Sequence, residues 1–333
     1  MAIATLYSKY YLEYQHSEAL NPSQYCTEGF CAEFVLRKRF DDGVAVAGCE
    51  AARADWGRMV GLKSTRAGCE NVVTGSFATL CLPMIASERM WITGYIFEYA
   101  FLHDNLTDAT KQTDALNEQL VNSLSTAMKP QILAAEAKSG MKQMHEFMTE
   151  RILSIDKVTG MKILKAWKRF ISHGAGSGKN IHFDSFDSFV NYRLVDVAGE
   201  WVDYVMRFGM SLNLTDEEER CAAPLSRLAY LIAALHNDYV SFDVEYAIFR
   251  DDGEAESLHA FTNGVWVMMY LNGMGVDEAK EAIKVKTQAY ENEFLRLWQD
   301  LTQNERATEN VMNSQREKKA IVPVPLMLSM RTI

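Results

Sequence analysis

Proline is nearly absent from this chain, and where it stands limits what the chain can fold into. The 333 residues hold six prolines, at positions 22, 83, 130, 224, 323 and 325. Residues 131–223 and 225–322 therefore lack the one residue that both removes a helix hydrogen bond and clashes with the preceding turn. Apolar spacing and start signals predict helices over about 46–60, 73–82, 86–105, 112–127, 130–154, 157–173, 184–210, 216–250, 256–273 and 276–313. In "NLTDEEERCAAPL" Thr215 or Asp216 can cap free amides, and Glu217 to Glu219 suit the positive helix end. Residues 1–45 are mixed, with "NPSQYCTEGFC" reading as turn and loop. No alternating β-branched run is long enough for a sheet, no internal repeat is visible, and no Pro-, Ser- or Gly-rich stretch offers a linker. The expectation is an all-α fold, one domain over residues 1–333.

A formal net charge of -10 with no Lys/Arg-rich block argues against a nucleic-acid partner, although an acidic protein can still bind a polyanion through metal ions. The six cysteines, at 26, 31, 49, 69, 81 and 221, have no paired spacing and read as free thiols of a reducing compartment. The N-terminus lacks a basic region followed by an apolar one. The greasiest segments, 91–102 and 264–271, fall short of the ~20 apolar residues of a membrane span or carry Glu98. A cytoplasmic protein without a membrane span is expected. "HGAGSGKN" at 173–180 imitates a phosphate-binding loop, but His173 and Asn180 break the G-x-x-x-x-G-K-[ST] pattern and the segment before it is helical, so a helix–helix connection is expected there.

The chemistry concentrates in three places. In "YAFLHDNLTDATKQTD" Asp104 and Asp108 lie four residues apart, offset by only ~40° around a helix, and Phe97 and Phe101 fall on the same stripe. Two carboxylates at a helix C-terminus oppose the helix dipole and ask for a cation; the bland alternative is a pair of solvated acids. In "AYLIAALHNDYVSFDVEYAIF" Asn237, Ser241 and Glu245 recur at i, i+4 and i+8. Their hard oxygen ligands suit Mg²⁺, with water filling its remaining positions. Tyr230 lies on that face, while Asp238 and Asp243 point elsewhere and read as solvated or capping groups. In "SFVNYRLVDVAGEWVDYV" Arg193 sits in an apolar helix. Alone it reads as an ion pair with Asp196, and beside two oxygen-rich edges it becomes a candidate diphosphate clamp. Phe101 and Tyr230, with Phe97 and with Phe77 from the preceding helix, are the candidate wall of an apolar cavity.

Taken together these segments resemble the class I terpene cyclases, and most closely the cyclase domain of the fungal fusicoccadiene and ophiobolin type bifunctional synthases. "FLHDNLTD" resembles their aspartate-rich motif, "NDYVSFDVE" the N-D-x-x-S-x-x-x-E motif, and "NYRLVDV" the stretch before their helix break. The likeness runs over roughly residues 15–300. It implies a bundle of the class I terpenoid synthase type, with Asp104, Asp108, Asn237, Ser241 and Glu245 on metal, a cluster of three Mg²⁺ ions, Arg193 as diphosphate sensor, Asp196 as linker and Val197 at the helix break. It implies ionisation of an allylic isoprenoid diphosphate, geranylgeranyl diphosphate before its C25 homologue. The diterpene or sesterterpene product would be a polycyclic hydrocarbon, with a 5-8-5 fused ring system plausible, released beside pyrophosphate. A chain-elongating transferase and an inactive helical isoprenoid-binding protein are the rival readings.

The chain departs from the family pattern at Asn105, where a second acid is usual, and at Val244, where a Lys often stands. It departs again in the tail "KKAIVPVPLMLSMRTI", which carries no Arg-Tyr pair. Residues 314–333 are therefore expected not to form the helix that closes such sites. Relatives of this type often continue into a prenyltransferase domain, so the chain is expected to be either a cyclase-only protein or an excised domain, and an oligomer is compatible with the sequence.

Overall fold

The computed structural model describes residues 16–21, 27–60, 70–71, 75–109, 140–173, 181–251, 262–303 and 307–323. The expected helix at 112–127, the starts of those at 130–154 and 256–273, the 174–180 connection and the end of the tail lie outside the described residues.

The chain opens with β1 (Ser17–Ala19) and β2 (Arg37–Arg39), antiparallel with Ser17 opposite Arg39. Helix α1 (Gly43–Met59) follows, then the ribbon of β3 (Glu70–Asn71) and β4 (Gly75–Ser76). These strands were not anticipated, because two or three residues are too few for alternation to be legible. Next come α2 (Phe77–Cys81), α3 (Met90–Ala109), α4 (Gly140–Ile155), α5 (Lys157–His173), α6 (Phe186–Asp196) and α7 (Gly199–Gly209). The long α8 (Asp216–Asp251), then α9 (Gly264–Asn272), α10 (Val276–Gln303) and α11 (Glu309–Ile321) complete the described fold. The fold is all-α apart from the two ribbons.

Helices α1 and α3 pack backbone to backbone. A Cβ on Gly48 would stand 2.0 Å from the Trp91 carbonyl oxygen and one on Gly94 2.2 Å from that of Ala45, so any larger residue at either position forces the helices apart. Helix α8 is the central strut. Tyr230 joins a core with Phe97, Trp167 and Trp201, Leu225 and Ile232 join a second with Phe294, and Leu231, Leu235 and Phe242 join a third with Phe189 and Val265. A helix this long can serve several cores because its apolar residues surround it rather than forming one stripe.

Two expected helices prove to be pairs. The 184–210 segment breaks after Asp196: Val197 leaves helical geometry at φ -80 and ψ 9, Ala198 takes the left-handed φ 54 and ψ 29, and α7 starts at Gly199. A Cβ on Gly199 would meet Tyr230 Cγ at 3.0 Å, so glycine lets the restarted helix lie against α8. The 276–313 segment breaks after Gln303, and α11 begins beyond Thr308, whose side chain accepts the Val311 N–H.

Helix α11 runs to Ile321, beyond the expected helix end at 313, while residues 324–333 of the tail lie outside the described residues. Lys318 in this helix is 1% exposed, with its ammonium 2.7 Å from Asp203 and donating to Ser314 Oγ at 2.7 Å. A buried lysine hides the helical face from a hydropathy pattern. Among the described residues no helix is long and apolar enough to cross a membrane, and the described cysteines 31, 49, 81 and 221 are free thiols.

Candidate active site

Helix α8 carries Asn237, Ser241 and Glu245 along one half-buried edge. Ser241 Oγ donates to the Asn237 backbone carbonyl at 2.6 Å, which spends its proton inside the helix and leaves its lone pairs to accept or ligate. Glu245 is oriented from outside the helix by Asn263, whose amide donates to Glu245 Oε2 at 3.1 Å and to the Asp238 carbonyl at 2.9 Å. Asn263 also caps α9, accepting the Val265 N–H at 2.9 Å. The donor set of one amide oxygen, one hydroxyl and one carboxylate, with the carboxylate held by a neighbouring amide, fits a hard divalent cation such as Mg²⁺.

Arg193, at the end of α6, is the hub beside that edge. Its guanidinium donates to Asp238 Oδ1 through Nε at 3.0 Å and Nη2 at 2.6 Å, to Asn237 Oδ1 at 3.2 Å, and to Asp196 through Nη1. Burial works against its charge, but the Asp238 and Asp196 carboxylates outweigh that and hold it firmly protonated. Asp238 is fully buried, which pushes its carboxyl up to about 6 against the opposing pull of Arg193. Burial raises the Asp196 carboxyl too, again partly offset by Arg193.

Of the two expectations for Asp238, solvated or capping, burial excludes the first: it accepts from Arg193 and, at 2.9 Å, from the Gly264 N–H at the start of α9. Asp243 is 70% exposed and pairs with Lys280, as a solvated acid does. Asn263 was missed altogether, although an asparagine directly before the apolar run "GVWVMM" is a capping signal. Val197 stands at the α6–α7 break, one turn beyond Arg193, whose carbonyl accepts its N–H at 2.9 Å.

On α3, Asp104 is exposed near the C-terminal end. Asp108 lies in the same helix, but its side chain is outside the described residues. Below Asp104 the rings of Phe97 and Phe101 both meet Phe77 edge-on, at 5.2 and 5.1 Å, and Phe97 meets Trp201 at 5.7 Å. Trp201 also borders a cavity of about 640 Å³ between α5, the α6–α7 break and α8, lined in part by Phe170, Leu194, Ala198, Tyr204 and Tyr230. That volume is within the range of small-molecule sites. Tyr230 presents its ring there and donates its hydroxyl to buried Asp203 at 3.2 Å. The structure thus joins Arg193, Asp196 and Asn237 through direct bonds and groups Phe77, Phe97 and Phe101. Asp104 stands on a separate helix from the α8 edge.

Comparison with known proteins agrees with this arrangement. Residues 95–293, more than half of the chain, match the family model for terpene synthase family 2, C-terminal metal binding. The chain is 32% identical over 278 residues to variediene synthase of Emericella variicolor, covering 83% of this chain and 38% of that protein. It is 31% identical to terpene cyclase ATR13 of Stachybotrys chlorohalonatus, covering 84% of this chain and 75% of that protein. It spans about two fifths of the length of the curated relatives it matches first. The fold is similar to crystalline aristolochene synthase from Penicillium roqueforti, with a TM-score of 0.62 at 15% identity over 76% of this chain and 82% of that one. The resemblance read from the sequence is borne out at the level of the family, and the chain belongs to terpene synthase family 2.

Proposed function

We propose that this chain is a Mg²⁺-dependent class I terpene cyclase acting on an allylic isoprenoid diphosphate, geranylgeranyl diphosphate in preference to the C25 homologue. The observation that carries the reading is the bonded unit of Arg193, Asn237 and Asp238, beside which Ser241 and Glu245 continue the same oxygen-rich edge. The name of one relative, bifunctional sesterterpene synthase astC of Talaromyces wortmannii, keeps the C25 homologue as the second candidate.

In this reading Asp104 and Asp108 on α3 and Asn237, Ser241 and Glu245 on α8 hold the ions, three of them by analogy with the family. Bound Mg²⁺ would supply the positive charge that neutralises the diphosphate and favours its departure. Arg193 adds a fixed guanidinium. Its Asp238, Asp196 and Asn237 bonds set its plane before substrate arrives, so little reorganisation remains when a phosphate oxygen docks. Asp196 links Arg193 to the break at Val197, where the chain turns towards Gly199 and Trp201. The isoprenoid tail lies against Phe77, Phe97, Phe101, Trp201 and Tyr230, whose ring faces attract an allylic cation and keep water from it. Proton loss or water capture then ends the reaction as a polycyclic product, a 5-8-5 ring system among the candidates.

The deciding experiment supplies geranylgeranyl diphosphate and Mg²⁺ and analyses the extract by gas chromatography with mass detection. Cyclised hydrocarbon and pyrophosphate are expected, with loss of both in EDTA and in Glu245→Gln. A longer diphosphate on adding isopentenyl diphosphate would identify an elongating transferase instead. Binding without turnover would identify a helical isoprenoid-binding protein.

A further inference from the structure

Away from the diphosphate-facing edge, three side chains of different chemistry meet in the interior. Cys31 precedes β2, His236 lies on α8 one residue before Asn237, and Glu291 lies on α10; they are 3%, 0% and 7% exposed. Cys31 Sγ is 3.7 Å from His236 Nε2 and 3.6 Å from Glu291 Oε1, and Nε2 is 2.9 Å from Oε1.

The hydrogen bonding at the far side of the ring fixes the tautomer. His236 Nδ1 is 3.1 Å from the Val322 carbonyl oxygen, which can only accept, so Nδ1 carries the proton. Nε2 then turns its other side to a Glu291 carboxylate oxygen, and a cation, either a proton or a metal ion, must lie between them; the Cys31 sulfur flanks the ring, 3.7 Å from Nε2 and 3.8 Å from Nδ1. A proton would need only the nitrogen and the oxygen. The sulfur, nearly equidistant from both, completes a triangle of the size a tetrahedral metal demands. Bonds of about 2.3 Å to sulfur and about 2.0 to 2.2 Å to nitrogen or oxygen separate donor atoms by about 3.3 to 3.6 Å. The two sulfur edges have that length, the nitrogen–oxygen edge needs to open by about half an ångström, and the Cys31 side chain has to turn from beside the ring towards the Nε2 lone pair.

The surroundings are those of a metal centre. The Val322 carbonyl is the outer partner that ligating histidines regularly use. Both Glu291 oxygens accept the Cys31 N–H, each at 3.1 Å, which aims the carboxylate and holds Cys31 at its left-handed φ of 56. The Phe30 ring packs edge-on to His236 at 4.8 Å and excludes solvent.

We propose that Cys31, His236 and Glu291 form a structural site for a thiophilic divalent cation of the zinc class, distinct from the Mg²⁺ positions. Its ligands tie the segment before β2, helix α8 and helix α10 together, and its outer partner lies at the end of α11. The ion would fix the register of α8 one residue before Asn237 and hold the last described turn of the chain against it. Uptake releases the Cys31 thiol proton, since the thiolate is the ligand.

The test uses the full chain carrying Cys221→Ser, which removes the exposed thiol, in excess Mg²⁺. After equilibration with Zn²⁺ and gel filtration, about one zinc per chain is expected to remain, and Cys31→Ala and Glu291→Gln are expected to lose it. With Co²⁺ as the probe, the unsubstituted site should give a near-ultraviolet thiolate-to-cobalt band, a readout that needs no ligand variant to fold. A zinc-free chain, retention unchanged in Cys31→Ala, or cobalt uptake without that band would overturn the proposal and leave a proton-bridged His236–Glu291 pair.

Discussion

Arg193 and Asp238 form a two-point pair: Nε and Nη2 of the guanidinium both donate to Asp238 Oδ1, at 3.0 and 2.6 Å, while Asp238 Oδ2 takes the Gly264 N–H at 2.9 Å. The pair pins α6, α8 and the start of α9 to one another and sets the direction of the remaining guanidinium edge. Asp238→Asn keeps the shape and removes the charge. Breaking one partner of a buried pair costs about 3 to 5 kcal/mol where no other counter-charge exists, and Asp196 reduces that here. A fall in melting temperature together with about tenfold weaker pyrophosphate binding in Mg²⁺ is expected, read by thermal melts and calorimetry. If neither moves, Asp238 does not position Arg193.

Asn263 acts on the proposed cation site through Glu245. Its amide fixes Oε2 at 3.1 Å, so Asn263→Ala frees the carboxylate to sample other rotamers and also removes the α9 cap, at about 1 kcal/mol. Loss of such an outer partner typically weakens metal binding about 10- to 100-fold. The Mg²⁺ concentration giving half-maximal turnover should rise accordingly. Asn263→Asp retains the cap without the amide donor, so a normal Mg²⁺ requirement in that variant would remove Asn263 from the site.

What was legible in the sequence is what short-range spacing can encode. The i, i+4, i+8 run of Asn237, Ser241 and Glu245 is a property of one helix, and Arg193 announced itself as a charge in an apolar stretch. For Asp238 the ion pair was not legible, because its partner Arg193 lies 45 residues away on another helix, and burial by a remote cation leaves no local trace. The break at Val197 was reached through the resemblance and not through periodicity, because Ala198 occupies a left-handed position usually marked by Gly or Asn, and the visible glycine comes one residue later. The burial of Lys318 leaves no local trace either, since a lysine paired with Asp203 inside the protein looks in sequence like any solvated one.

That lysine gives a further test. Asp203 is gripped by Lys318 at 2.7 Å, by Arg207 and by the Tyr230 hydroxyl at 3.2 Å. Burial alone would raise its carboxyl, but Lys318 and Arg207 outweigh burial and lower it. A lowered carboxylate contributes stability that is complete above its ordinary value of 3.8 and is lost as pH falls through the folded value below it. Lys318→Met keeps the length and apolar stem of the side chain. It is expected to lower the melting temperature at neutral pH and to narrow the gap between neutral and acid melts. An unchanged acid limb would show that Arg207 alone satisfies Asp203.

His145 on α4 acts in the opposite sense. Burial, with the neighbouring His103 adding to it, lowers its imidazole from 6.5 to about 3, and neither ring nitrogen has a hydrogen-bond partner. The folded chain thus refuses a proton that the unfolded chain accepts between those values, so stability falls as pH drops below 6.5. By pH 5 the cost is on the order of 2 kcal/mol. His145→Phe, among the rings of Tyr99 and Trp167, should flatten the dependence of melting temperature on pH between 7 and 5. Parallel curves for variant and parent would mean that His145 takes up its proton in the folded state.

The aromatic wall separates binding from steering. Phe101 meets Phe77 at 5.1 Å, and Trp201 bridges from Phe97, at 5.7 Å, to the cavity where Tyr230 presents its ring. Each ring contributes shape and about 0.5 to 2 kcal/mol of attraction for a cation, small beside an ionisation barrier but large beside the differences between competing ring closures. Phe101→Leu and Tyr230→Leu are therefore expected to redistribute products towards earlier-quenched ring systems while substrate consumption falls only a few-fold. Arg193→Ala should do the reverse, cutting consumption without a new product pattern, if it acts at the diphosphate as proposed. Tyr230→Phe separates ring from hydroxyl: it retains the face towards the cavity and removes the bond to Asp203, so product ratios should hold while the melting temperature drops. If Phe101→Leu instead lowers melting temperature and total yield together and leaves product ratios untouched, its ring is packing for α2 and α3 and does not touch the reacting chain.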